Sequence, residues 1–276
     1  MRTVMPRFGT VVLTGATSGI GEATAQRLAA ISGTLIVLGP EPEEAVGEVL
    51  ARIRGHGPAD VHYISADFTY LSEVVDAARS IKTLAPAIDL LINDAGVPGA
   101  LQRILTQDGF ERTLQVNALA PALLTRLLVP SLAKNARIVN VGSSAHRVEQ
   151  FDFDDIDLGH GYSPVAAYAR AKLAMVTWSA LLAEELGSMP VSVVALCPGL
   201  NDTPLSAAMM GRIGGPPTQG AARVLFAAAA DVPSGSYLEG DQVIPPSADA
   251  TDPANQEQLA ALYWDRLLPF AALGRV

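Results

Sequence analysis

Short runs of β-branched and aliphatic residues alternate along the chain with longer segments of helical periodicity. The runs are Thr10 to Leu13, Thr34 to Leu38, Val61 to Ser65, Ile88 to Ile92, Ala136 to Val141 and Val191 to Leu196. Each is apolar on both faces, as strands of a parallel sheet covered by helices are. Between them, Glu22 to Ile31, Glu43 to Arg54, Leu71 to Leu84, Asp108 to Leu132 and Val165 to Leu186 repeat apolar residues at helical spacing. The alternation predicts an α/β fold, a doubly wound (Rossmann) parallel sheet with helices on both faces. Pro253 to Leu268, periodic through Leu259, Leu262, Trp264 and Leu267, predicts a last helix that caps the domain edge.

Two segments break the alternation. Arg147 to Pro164 is acidic and aromatic (Phe151, Asp152, Phe153, Asp154, Asp155, Asp157), and Leu200 to Pro217 carries Met209, Met210 and a Gly-Gly-Pro-Pro stop. Long loops at the carboxyl edge of such a sheet commonly form lids or binding walls, so both are expected as substrate loops. For the acidic segment, a solvated insertion is the competing reading. No repeat and no Pro/Gly/Ser-rich linker divides the chain, so residues 1–276 read as one domain.

Composition narrows the partners. With 49% apolar residues among 276, the chain has ample material for a full core. Its 19 Lys+Arg against 28 Asp+Glu give a net charge of -9, which argues against nucleic acid, whose phosphates are bound by clustered cations. Cys197 is the single cysteine, so no intramolecular disulfide and no cysteine-based zinc site can form. His56, His62, His146 and His160 are scattered without ligand spacing, and no metal is implied. The start, with Arg2, Pro6 and Arg7 before a short apolar run, has neither a signal-peptide core nor a membrane span. Leu114 to Ala133 is interrupted by Asn117, Pro121, Arg126 and Pro130 and reads as a buried helix. The expectation is a cytoplasmic protein whose chain begins directly with structure.

The segment Thr14 to Gly21, TGATSGIG, follows the first strand and opens the first helix. Its glycines, Gly15, Gly19 and Gly21, permit a tight turn and close backbone approach. The helix start offers free N–H groups and a positive dipole end to a pyrophosphate, with no basic side chain required. Downstream, Tyr168 and Lys172 in YARAK lie four apart, on one face of a helix. An ammonium beside a phenol favours the phenolate, which would make Tyr168 an acid-base group. Lysine is scarce (Lys82, Lys134 and Lys172), so its place in an Ala-rich helix asks for a specific reason. Ser143 and Ser144 both end the fifth strand in RIVNVGSSAH, where a hydroxyl could donate to a carbonyl oxygen.

In order and spacing these motifs resemble the short-chain dehydrogenase/reductase family, and within it the retinol-dehydrogenase-like branch, from Val11 to about Thr203. TGATSGIG matches the family's glycine motif and brings Thr17, Ser18 and Ile20 into the expected cofactor set. Asp67 in ADFT, followed by Phe68, matches the acid that holds adenine. NDAG matches the family's Asn-Asn-Ala-Gly, implicating Asn93, Ala95 and Gly96, with Asp94 in place of one Asn. PGLNDT matches the segment from Pro198 and Gly199 to Thr203, whose Thr contacts the nicotinamide amide. The catalytic set implied is Asn117, Ser143, Tyr168 and Lys172, with Asn117 holding a water that relays protons from the lysine. The VGSSAHR-like motif selects Ser143 over Ser144, and Gly142 replaces a serine common there. His146 is a further candidate for the pocket lining.

The family's helices that carry the Asn and the Tyr form a four-helix dimer contact. Wide apolar faces here, such as Leu123, Leu127, Met175 and Trp178, therefore imply a homodimer or homotetramer. At the end of the second strand, LIVLGPEPEE offers neither an aspartate at Pro40 nor an arginine at Glu41. A carboxylate there repels a 2′-phosphate, so NAD is expected over NADP. The expected activity is hydride transfer between a nicotinamide cofactor and the carbonyl or alcohol carbon of a lipophilic or aromatic small molecule. The alternative is a non-catalytic dinucleotide-binding regulatory or scaffold protein on the same fold.

Overall fold

The computed structural model describes residues 8–273; the expectation for the chain start at Arg2, Pro6 and Arg7 lies outside them. All six expected strands form: β1 Phe8–Thr14, β2 Ser32–Gly39, β3 Asp60–Ser65, β4 Ile88–Asn93, β5 Leu132–Val141 and β6 Ser192–Cys197. Two short strands join them, β7 Tyr237–Glu239 and a hairpin partner β8 Gln242–Val243. The order β3-β2-β1-β4-β5-β6-β7-β8 is parallel up to β7, and β8 alone runs antiparallel. Val11 pairs with Leu35 on one side and Leu90 on the other, so strand order reverses between β1 and β4. Ligands of open α/β sheets bind in the crevice outside the carboxyl ends at such a reversal.

Alternate residues of β1 feed two cores. Val12 joins the layer under α3 (Leu71–Leu84), α5 (Ala120–Leu128), α6 (Pro164–Glu185) and α10 (Pro253–Leu273). Val11 and Leu13 join the layer under α1 (Gly19–Ala29), α2 (Gly47–Arg54) and α8 (Pro217–Ala229). Fully buried aliphatic side chains contribute roughly 1.5–3 kcal/mol each, which sets the sheet's register against one-residue slips.

One helix boundary changes, and part of the surface behind the oligomer expectation is occupied within the chain. The helix expected from Asp108 to Leu132 starts at α4 (Arg112–Leu114), widens into a π turn over Gln115–Leu119, and continues as α5. Leu132 already belongs to β5. The oligomer expectation rested on open apolar faces of α5 and α6, and part of these is covered within the chain. Residues 167–179 of α6 are all buried except Tyr168, and Leu259, Tyr263 and Leu267 of α10 pack into the same core as Leu123, Leu127, Met175 and Trp178. Ala180, Leu181 and Ala183 of α6 stay half-buried beside it. Among the described residues no helix is long and apolar enough to cross a membrane, and no group of His, Cys, Asp and Glu is placed to hold a metal.

Candidate active site

A cavity of about 810 Å³ opens along the carboxyl edge of the sheet, from the end of β2 past the β1/β4 reversal to the end of β6. Its size lies in the upper part of the range of roughly 300–1,000 Å³ typical of ligand pockets. Most of the expected site residues line it: Gly15, Thr17, Ser18, Gly19, Ile20 and Glu41 at one end; Asp67, Phe68, Ala95 and Gly96 along the floor; Ser143, Tyr168, Lys172, Pro198, Gly199 and Thr203 at the other. Gly21, Asn93 and Asn117 do not.

The dinucleotide end is built from backbone. Gly15 has φ 72, and a Cβ there would sit 2.7 Å from the Ala95 Cα. A Cβ on Gly21 would sit 2.0 Å from the Gly15 carbonyl oxygen, so this glycine serves the turn from behind. The Ser18 side chain makes no capping hydrogen bond to α1, which leaves helix-start N–H groups for an anion. At the end of β2, Glu41 Oε2 is buried without a partner. These features fit a dinucleotide: pyrophosphate at the helix start and a ribose hydroxyl against Glu41. Asn93 lies behind the cavity, with its Oδ1 buried and unpartnered. Its Nδ2 donates to Thr125 Oγ1 at 3.0 Å and Asn140 Oδ1 at 2.8 Å, tying β4 to α5 and β5.

At the other end, Ser143 caps the short 3₁₀ turn Ser144–Arg147, its Oγ accepting from the Ala145 N–H at 3.2 Å. Ser143 and Tyr168 line the cavity together, and the Ser143 hydroxyl favours the phenolate. One turn along α6, Lys172 Nζ lies 5.8 Å from the Tyr168 ring centroid and donates to the Val141 carbonyl at 2.7 Å. The expected lowering of the phenol pKa is not what this arrangement gives. Burial pushes Tyr168 up to about 12, against the opposing effect of the Ser143 hydroxyl nearby. Burial also lowers Lys172 to about 8, with Asp94 opposing the shift, and raises Asp94 to about 7, with Lys172 opposing it. Desolvation wins because three ionisable groups share a pocket with few donors.

Asn117 is fully buried in the π turn, and its amide is spent on one residue. Oδ1 accepts from the Val97 N–H at 2.8 Å and Nδ2 donates to the Val97 carbonyl at 3.0 Å. This pairing fixes the loop after β4. Both of its polar atoms are thus paired with the Val97 backbone. His146, expected in the pocket lining, is buried behind it. Of residues 147–164 only Val148 lines the cavity, whereas Leu200, Thr203, Leu205, Met209 and Met210 all do.

A family model described as short chain dehydrogenase matches residues 9–211. Mouse (Mus musculus) polyprenol dehydrogenase is 35% identical over 280 residues, covering 93% of this chain and 83% of that protein. Human (Homo sapiens) retinol dehydrogenase 13 is 37% identical over 203 residues, covering 71% of this chain and 60% of that protein. A crystal structure of an uncharacterised Mycobacterium paratuberculosis protein superposes with a TM-score of 0.81 at 31% identity and covers 96% of both chains. A Burkholderia cenocepacia short chain dehydrogenase in complex with NADP superposes at 0.67 with 26% identity, covering 86% of this chain and 98% of that one. The chain belongs to the short-chain dehydrogenase family. Its relatives place it in the retinol-dehydrogenase-like branch of these oxidoreductases, whose cofactor is NAD or NADP.

Three features of this dehydrogenase's cavity escaped the motif reading. Arg112 and Val116, one helical turn apart, line it beside Val97; the signal was their i, i+4 spacing just before Asn117. Asp94 lines it as a carboxylate where the family motif has an amide, and was visible only as a departure from that motif. Cys197 lines it too, its Sγ accepting from the Ser144 and Gly199 N–H groups at 3.3 and 3.4 Å.

Proposed function

We propose that this chain moves a hydride between a nicotinamide dinucleotide and the carbonyl or alcohol carbon of a lipophilic small molecule. The observation that carries the reading is a single cavity with the open start of α1 at one end and the Ser143, Tyr168 and Lys172 cluster at the other. The dinucleotide, when bound, supplies or accepts the hydride. Ser143 Oγ and Tyr168 Oη, which line the same end of the cavity, would share one carbonyl oxygen. A phenol pushed up to about 12 stays protonated near neutrality, the form that delivers a proton as charge grows on that oxygen. The Lys172 ammonium, anchored on Val141, adds positive charge beside it. Asn117 acts through Val97 and keeps the wall of the cavity in place.

Two finer choices belong to this reading. The buried, unpartnered Glu41 Oε2 supports NAD, since it accepts from a ribose hydroxyl and repels a phosphate. The wall of Val148, Val165, Leu200, Leu205, Met209 and Met210 supports an apolar substrate, as does similarity to polyprenol and retinol dehydrogenases.

The test is oxidation of NADH and NADPH with retinaldehyde, decanal and acetophenone, beside fluorescence titration of each cofactor. Turnover of at least one carbonyl, with the lower KM for NADH, is expected. Binding without turnover across the panel would favour the non-catalytic regulator. A lower KM for NADPH would overturn the role given to Glu41.

A further inference from the structure

Catalytic Ser143 is held by a buried imidazole outside the cavity. His146 is fully buried, and both of its ring nitrogens are engaged. Nε2 accepts from the Ser247 backbone N–H at 3.0 Å, and a backbone amide can only donate. Nε2 therefore carries no proton, and the neutral ring has its proton on Nδ1. That nitrogen lies 2.6 Å from the Ser143 carbonyl oxygen and donates to it. The same carbonyl also takes the His146 backbone N–H at 3.2 Å. The ring's edge is fixed against Tyr237 of β7, with centroids 5.0 Å apart and planes at 72°. Burial keeps the imidazole pKa below its ordinary value, so the neutral tautomer persists.

Resting on the oxidoreductase reading, we infer that His146 is a positioning residue that sets the Ser143 hydroxyl through the Ser143 carbonyl and ties that setting to the segment before α9 (Ala248–Thr251). Arg147 strengthens the tie, its guanidinium donating to the Pro245 carbonyl at 2.7 Å. The β5 end alone leaves the serine free to turn about its own backbone. The carbonyl is clamped by two donors from one residue, while the Oγ accepts from the Ala145 N–H at 3.2 Å and lines the cavity with Tyr168 of α6. Ser247, about a hundred residues later in the chain, thereby helps to hold the oxygen-binding end of the site.

The experiment is a double-mutant cycle of His146→Phe and Ser143→Ala, with the fastest carbonyl of the panel above and fluorescence titration of NADH. His146→Phe keeps a flat buried ring but loses both hydrogen bonds. It is expected to lower kcat roughly ten- to hundredfold, the scale of a misplaced catalytic group, with the NADH Kd and substrate KM little changed. In the Ser143→Ala background the same change is expected to add almost nothing, because there is no hydroxyl left to aim. His146→Asn, whose Nδ2 stands in for Nδ1, is expected to recover most of kcat. Additive effects in the cycle, or an unchanged kcat in His146→Phe, would overturn the inference. Should His146→Phe not fold, Ser247→Pro reads the same tie from its far end. Ser247 has φ -63, which proline adopts; the change removes the N–H and the cap oxygen and sets the ring Cδ against Nε2, so the tie is broken from its far end. A severalfold drop in kcat sustains the inference and an unchanged kcat overturns it. Tyr168→Phe, measured alongside, reports on the site itself: turnover lost there but intact in His146→Phe refutes only the positioning role, and turnover retained in Tyr168→Phe refutes the site.

Discussion

Residues 147–164 turn the carboxylates of Glu149, Asp155 and Asp157 to the protein's own donors, whereas residues 200–217 turn aliphatic side chains to the cavity. In the first segment Asp157 receives Arg266 of α10 and the Glu111 N–H, Glu149 pairs with Arg170 at 3.0 Å, and Asp155 accepts from the Gly159 and His160 N–H groups. Phe151 and Phe153 stack at 4.8 Å against the core under α6. It is a strap that binds α4, α6 and α10 together. The second segment is held largely by bonds among its own residues, including Arg212 to Asp202 at 3.1 Å. Thr203 and Ser206 form a capping box at the start of α7 (Pro204–Met210), and Asn201 bridges to Gly215. Leu200 and Met210 remain 49% and 55% exposed at the cavity mouth. The contrast teaches that position at the carboxyl edge does not make a loop a binding wall. What decides is whether its polar groups find partners inside the protein.

That contrast can be broken from either side. Met209→Asp puts a charge into the apolar wall, and kcat/KM for decanal should fall roughly tenfold to hundredfold with the melting temperature nearly unmoved. A large loss of Tm instead would make the segment structural. Arg266→Ala strips the strap of its anchor and uncovers the Phe110 face, over which the guanidinium lies at 4.6 Å. The pair is mostly but not fully buried, so the cost is about 1–3 kcal/mol, or roughly 3–8 °C in Tm. Catalysis should survive; a raised KM would return the strap to the substrate site.

The smallest expected effect is a shift in pH dependence at the junction of the two ends. Lys172 is charged below about 8, so activity is lost as pH rises through that value. Asp94 favours the ammonium, and Asp94→Asn should therefore move this alkaline limb to lower pH. Asp94 itself is raised to about 7 from 3.8, so the native state binds its proton more tightly than the unfolded chain. Its burden on stability grows as pH rises from about 4 to about 7 and is full above that. At pH above 7, Asp94→Asn should thus melt higher than the parent; an unshifted limb and an equal Tm would show that the carboxylate is well solvated.

The sheet and the catalytic cluster were legible because their determinants are local. β1 to β6 each carry a short aliphatic or β-branched run, and the glycine turn and YARAK are short motifs on single elements. β7 was not visible, since three residues carry no period, and α8 is Ala-rich with little contrast between its faces. The covering of α5 and α6 by α10 was not visible either. Leu259, Tyr263 and Leu267 announce a buried stripe but not the surface that buries it. The acid-base balance was misread for a related reason. Tyr168 beside Lys172 suggests a lowered phenol, but the sequence does not show how deeply both groups are buried or that Asp94 competes for the ammonium.

The claim on which the rest depends is that Tyr168 delivers the proton in a cavity that separately holds the dinucleotide. Its most direct measurement is Tyr168→Phe, assayed for carbonyl turnover and for NADH binding in the same preparation. A fall in kcat of roughly 10²–10⁴-fold, with the NADH Kd little changed, is expected. Turnover close to that of the parent would contradict the account.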